Sequence, residues 1–160
     1  MEDFAGKDSR LDEARESTYT AFLIAGECFA VDVHSVKEIV KYKELTSLKE
    51  PLKDVEGLLE HHSVSIPVFN TAGILKLNPT SVDNGVMIVG IEGFILGFLV
   101  DIDAEMEVFS TITSPKPFKG NSALKDFVEG TVMAGDKECK LLKLASLVSK
   151  DVKRKLFTKG

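Results

Sequence analysis

Apolar and polar residues alternate in short bursts along this chain, without the long stripes that helices require, and one burst is written twice. VEGLLEHHSVSIPVFN at 55–70 returns 73 residues later as VEGTVMAGDKECKLLK at 128–143. In both copies Val-Glu-Gly opens an apolar run, a polar turn follows, and a second apolar run closes it. The closing residues are Ile66, Val68 and Phe69 in the first copy and Cys139, Leu141 and Leu142 in the second. This is the grammar of two strands joined by a tight turn, with a glycine that marks a close backbone approach or a bulge. A different hairpin precedes each copy. YTAFLIA and CFAVDV flank Gly26-Glu27, and MIVGI and FILGFLVD flank Glu92-Gly93, with Phe94, Leu96, Phe98 and Val100 on one face. At an offset of 67, Phe29 pairs with Leu96, Ala30 with Gly97, Val31 with Phe98, Val33 with Val100 and Glu38 with Glu105.

Between these hairpins the signals are weaker. Ser35-Val36-Lys37-Glu38 fits a capping box, and Val36, Ile39 and Val40 fall at helical spacing, which predicts a short helix or a single turn. Residues 45–48 read as a short strand, and Pro67, which lacks an amide donor, places its strand at an edge or a bulge. A helical turn is expected at 74–77 and a chain reversal at Asp83-Asn84-Gly85. Residues 111–125 form a long loop that absorbs the difference between the two offsets. Leu147, Val148, Val152 and Leu156 suggest a closing helix with a basic tip at 153–155.

The pattern predicts a mainly β fold of two similar five-stranded barrels in tandem, one at about 18–72 and one at about 84–144. They form a single domain over 18–150, preceded by a mobile tail at 1–17 and followed by a C-terminal helix and tail at 145–160. Neither half has much core to spare, so the two should pack together.

Composition narrows the function. The chain has 160 residues, 44% of them apolar, a formal charge of −5 and a pI near 5.3. That balance argues against a nucleic-acid partner, which usually demands a basic patch. No apolar run approaches the roughly 18 residues of a membrane span, and the N-terminal stretch is charged throughout, so a cytoplasmic protein with no membrane insertion is expected. Cys28 and Cys139 should then be reduced thiols, Cys139 serving as a small core residue.

Catalytic chemistry finds little support. The glycines at 90, 93 and 97 lack the G-x-G-x-x-G spacing and sit in a strand pattern. His61-His62, with His34 and the cysteines as helpers, has no Cys-x-x-Cys or His-x-x-x-His bite, and adjacent strand residues point opposite ways, so no metal site is expected. Asp101, Asp103, Glu105 and Glu107 read as a solvated face, and no G-x-S-x-G is present. The expectation is a recognition module without catalytic residues or cofactors.

Four segments carry a resemblance over 19–148: FLIAGECFAVDVHSVKEIV at 22–40, the frame from Gly57 to Ile66-Pro67-Val68, VGIEGFILGFLVD at 89–101, and FVEGTVMAGDKECKLLKL at 127–144. In order and spacing they resemble a CheW-like domain, the adaptor of bacterial chemotaxis arrays. The resemblance implies two pseudo-symmetric SH3-like barrels and a non-catalytic adaptor. Its implied partners are the chemoreceptor cytoplasmic tip and the regulatory domain of a CheA-type histidine kinase, met at the inner face of the membrane. By matching position it implies partner contacts at Val36, Glu38, Ile39, Gly57, Leu58, Glu60, His61 and His62. Val36 and Ile39 equally suit core packing, Glu38 a helix cap, and Gly57 a backbone need. The chain departs from the family where Asn-Leu-Arg-Gly is usual: it reads Glu60-His61-His62-Ser63, with Asn70 for a common Asp and Ala72 for an Arg. An imidazole at 62 replaces a fixed bidentate cation. This leaves a second expectation, a divergent scaffold that binds the kinase without receptor-dependent activation or serves another motility or polarity pathway.

Overall fold

The computed structural model describes residues 16–77, 85–101, 107–111, 114–120 and 124–157. The described strands are β1 (Ser17–Ile24), β2 (Glu27–Asp32), β3 (Val36–Lys41), β4 (Val55–His61), β5 (Val64–Phe69), β6 (Gly85–Ile91), β7 (Phe94–Val100), β8 (Glu107–Thr111), β9 (Val128–Ala134) and β10 (Lys137–Leu142). Helix α1 spans Thr71–Leu75 and α2 spans Lys150–Phe157. All four hairpins expected from the apolar pattern form. The first turn falls on Ala25-Gly26, one residue earlier than expected, with both residues at positive φ.

The strands make two five-stranded sheets, in the order β8-β1-β2-β10-β9 and β3-β6-β7-β5-β4. This corrects the tandem division at 18–72 and 84–144. The chain lays β1 and β2 in one sheet, crosses to build all of the second, and returns with β8 to β10 to finish the first. The repeat is nonetheless obeyed strand for strand. Replacing β8, β1, β2, β10 and β9 by β3, β6, β7, β5 and β4 turns one sheet order into the other. Register follows suit. Leu141 lies opposite Ala30 in the parallel pair β10·β2, and Val68 lies opposite Gly97 in β5·β7. Both Val-Glu-Gly motifs carry a bulge at the same place, between Val55 and Gly57 on β4 and facing the Leu141/Leu142 shift that pairs Gly130 and Val128 on β9.

Three apolar clusters explain the burst pattern. One lies inside the first barrel, with Tyr19, Ala30, Val132, Cys139 and Leu141. Another lies inside the second, with Leu59, Ile66, Val68, Val86, Ile88 and Leu99. The largest joins the two sheets through Phe22, Phe29, Val31, Phe69, Met87, Leu96, Phe98 and Val100. Central strands are therefore covered on both faces, which is why β6 reads as an almost unbroken apolar run. Each fully buried Phe or Leu in the shared cluster contributes about 1.5–3 kcal/mol. Phe94, which shares a face with Leu96, Phe98 and Val100, lies at its exposed end.

Several local expectations give way to tertiary context. The helix expected from Ser35 to Val40 is a single 3-10 turn, Val33–Ser35, capped by the Asp32 carboxylate on the His34 amide, followed by strand β3. A bulge between Val36 and Glu38 puts Val36 and Ile39 on the same face. The three-residue spacing that mimics a helix is thus the signature of a bulged strand. Residues 45–48 form no strand, only the bridge Thr46 to Leu58. Pro67 lies in interior strand β5, yet the parallel pairing with β7 begins one residue later at Val68, so its missing amide costs the ladder little.

Cys28 and Cys139 are joined in a disulfide, against the expectation of free thiols. The pairing of Phe29 with Lys140 sets the two cysteines side by side on β2 and β10, with Cα atoms 4.9 Å apart, within the range a disulfide spans. Of the expected N-terminal tail, residues 1–15 lie outside the described residues, as do the turn at 83–84 and the carboxylates Asp103 and Glu105. Ser17, expected in that tail, begins β1. Among the described residues no helix is long and apolar enough to cross a membrane.

Candidate functional site

In the second barrel β3 and β4 are the two edge strands. Leu59 on β4 and Val40 on β3 pack into that barrel's interior. Side chains two residues apart on a strand share a face, so His61 follows Leu59, and Glu38 precedes Val40, to the mouth of the same interior. There the His61 Nε2–H donates to Glu38 Oε1 at 2.9 Å, bridging the barrel's two edges.

His62 does not point away as strand alternation would require. The turn Glu60 to Val64 places His62 and Ser63 at φ 51° and 67°, and the left-handed backbone turns the second imidazole back beside the first. The ring centroids are 4.0 Å apart, and His62 Nε2 lies 4.0 Å from Glu38 Oε1. The His61 side chain is 15% exposed, Glu38 46% and His62 79%, so one member is held by the barrel and the others reach into solvent. The His61 hydrogen bond holds the Glu38 carboxyl below its ordinary value, against partial desolvation and with the help of charge on His61 and His62. This trio is the one set of three or more metal-capable side chains within ligating distance among the described residues.

The remaining sequence-predicted site residues divide by role. Glu60 is exposed and accepts from Ser65 Oγ at 2.6 Å across the hairpin. Val36 and Ile39 are half-buried against the core shared by the two sheets. Gly57 is buried under the segment that carries Thr46, and Leu58 exchanges backbone hydrogen bonds with Thr46 at 2.8 Å. Alternation turns Glu60 to the opposite face of β4 from His61, and Val36 and Ile39 to the opposite face of β3 from Glu38, so of the expected contact residues the structure brings together Glu38, His61 and His62. Val64, paired with His61 and 46% exposed, adds an apolar group that the sequence pattern did not single out. Its alternation with Ile66 reads as a second core position, and only the barrel's closure shows it open.

Away from this face, a groove of about 560 Å³ is lined by Lys116, Lys119, Thr131, Glu138 and Lys140 with Pro117 and Phe118. It brings together solvated charges but no nucleophile with a base.

A CheW-like domain model matches residues 18–152 of the chain. The crystal structure of the scaffolding protein TtCheW from Thermoanaerobacter tengcongensis superposes with a TM-score of 0.74 at 26% identity, covering 87% of this chain and 92% of that one. No curated protein sequence matches the chain.

Proposed function

The chain belongs to the CheW-like domain family, and on that premise we propose that it is a non-catalytic cytoplasmic adaptor coupling chemoreceptors to a CheA-type histidine kinase. The observation that carries this reading is the extent of the family match, which takes in both barrels and the closing helix up to residue 152. The β3 and β4–β5 face supports it. Charged groups and the exposed Val64 sit on strand edges braced by three apolar clusters, and rigid edges suit recognition of a partner.

Binding of the full chain to the kinase regulatory domain and to a receptor cytoplasmic tip, both from the same organism, tests the reading. Both should bind, and Glu38→Ala should weaken at least one of them about tenfold, equivalent to about 1.4 kcal/mol. A folded protein that binds neither partner would refute the adaptor role.

One observation favours a second reading, in which the protein occupies the kinase without receptor-dependent stimulation. Glu38 is already engaged by His61, and no arginine stands at position 62 to serve a partner. Kinase assays with reconstituted receptor separate the two. Stimulation by the wild type rejects the second reading, whereas stimulation that appears only with His62→Arg supports it.

A further inference from the structure

We propose that Glu38, His61 and His62 form a three-ligand site for a divalent transition metal of the Zn2+ class, with its fourth position open toward solvent. One ligand atom from each of the three residues lies within 4.8 Å of the others, and both histidine Nε2 atoms approach Glu38 Oε1. Around tetrahedral zinc, with bonds of about 2.0–2.2 Å, neighbouring ligands sit about 3.3–3.6 Å apart. Glu38 and His61, at 2.9 Å, are slightly closer than that, and Glu38 and His62, at 4.0 Å, slightly wider.

The adjustment falls on the two side chains that are free to make it. His61 is held in the barrel mouth, while the exposed Glu38 and His62 can rotate about their own χ angles. Two imidazoles and one carboxylate are a donor set that Zn2+ accepts with a fourth position left open. The metal takes the place of the His61 Nε2 proton, and the ring then carries its proton on Nδ1. A Glu38 bound in this way is withdrawn from any cationic partner.

Neighbouring histidines diverge on a regular strand, and the left-handed turn at His62 removes that obstacle. The other histidine with an acidic neighbour, His34 beside Asp32 at 3.0 Å, supplies only two ligands on an open surface. It serves as an internal control. Metal binding requires only this cluster, whichever partner the face receives, so its failure would leave the adaptor reading untouched.

The test is calorimetric titration of ZnCl2 into the full chain, produced without a histidine tag and stripped with a chelator. One equivalent should bind. His61→Ala, His62→Ala and Glu38→Gln should each weaken binding at least about tenfold, since even partners outside the first coordination sphere are worth about 10–100-fold. His34→Ala should leave binding unchanged. X-ray absorption of the zinc-loaded wild type gives a readout that needs no variant, and should show two imidazole nitrogens at about 2.0–2.1 Å. Absence of saturable binding, equal affinity in all variants, or a zinc shell without imidazole would overturn the site.

Discussion

At Gly57 and Gly130 the two repeats leave no room for a methyl group. A Cβ on Gly57 would lie 2.8 Å from the Thr46 carbonyl oxygen, and one on Gly130 would lie 2.7 Å from that of Lys116. In each case the obstacle is backbone from a strap that bridges to the next residue of the glycine's own strand, Thr46 to Leu58 and Lys116 to Thr131, so it cannot swing aside as a side chain would. Gly57→Ala and Gly130→Ala should therefore each cost about 1–3 kcal/mol, as overpacking does. Urea denaturation measures this, and a cost below about 0.5 kcal/mol at either site, within the range of a neutral surface substitution, would show that its strap yields. The sequence offered a bulge or a close approach for these glycines, and the fold uses both at once. The histidines went the other way. Strand alternation, which would send adjacent histidines opposite ways, does not extend into a left-handed turn, so the convergence of His61, His62 and Glu38 had no signal in the spacing of the residues.

Elements defined by the repeat formed as expected; of those judged from a single short window, the helix at 35–40 and the strand at 45–48 did not form, while the helical turn expected at 74–77 appears slightly earlier as α1 and the closing helix as α2. Strand β3 carries helical spacing and an apparent cap, but its residues find a ready-made edge on β6, and a bulge reproduces the spacing on one face. A few residues of propensity cannot compete with a ladder of backbone hydrogen bonds. Helix α2, by contrast, was legible from its apolar positions, and Val152 docks it on the shared core. Its first turn is organised by Ser149 Oγ, which accepts from the Val152 amide, and by Asp151, bonded to Arg154 at 2.8 Å. That bond, followed by the charge of Lys155, holds the Asp151 carboxyl below its ordinary value despite some desolvation. A carboxylate lowered in the folded state contributes stability that is full above its unfolded pKa and is lost as pH falls through the folded value. Thermal melts should accordingly show acid destabilisation below about pH 4, part of which is absent in Asp151→Asn. Parallel pH profiles for the two proteins would contradict this.

For the molecule as a whole, interleaving is the decisive feature. The first sheet takes strands from both ends of the chain, and the clusters inside the first barrel and between the sheets draw on residues from both ends as well. A fragment ending near residue 80 would hold β1 and β2 without the rest of their sheet, and one starting there would lack the centre of the same sheet. Each fragment alone should be unfolded by circular dichroism, and mixing should restore the native spectrum; a cooperative melt from either alone would disprove this. The disulfide reinforces the same seam, since Cys28 and Cys139 tie the two ends of the chain across 111 residues. Closing a loop of that order is worth about 2–5 kcal/mol in the usual chain-entropy model. Reduction should lower the urea midpoint accordingly, with Cys139→Ser matching the reduced wild type, and an unchanged midpoint on reduction would count against it.

By itself the sequence determined the repeat, the four hairpins, the bulging glycines and the family, because each depends on local periodicity or on motifs in order. Tertiary structure alone decided which strands share a sheet, that Cys28 meets Cys139, and that Glu38 meets two histidines at a barrel mouth. The reason lies in how the repeat is used. Two similar halves bury the same apolar faces whether each closes on itself or the two exchange hairpins, so the pattern of apolar residues is identical in both arrangements. The pairings of β1 with β8, β2 with β10, β3 with β6 and β5 with β7 distinguish them, and those contacts join residues too far apart along the chain for any window of sequence to register.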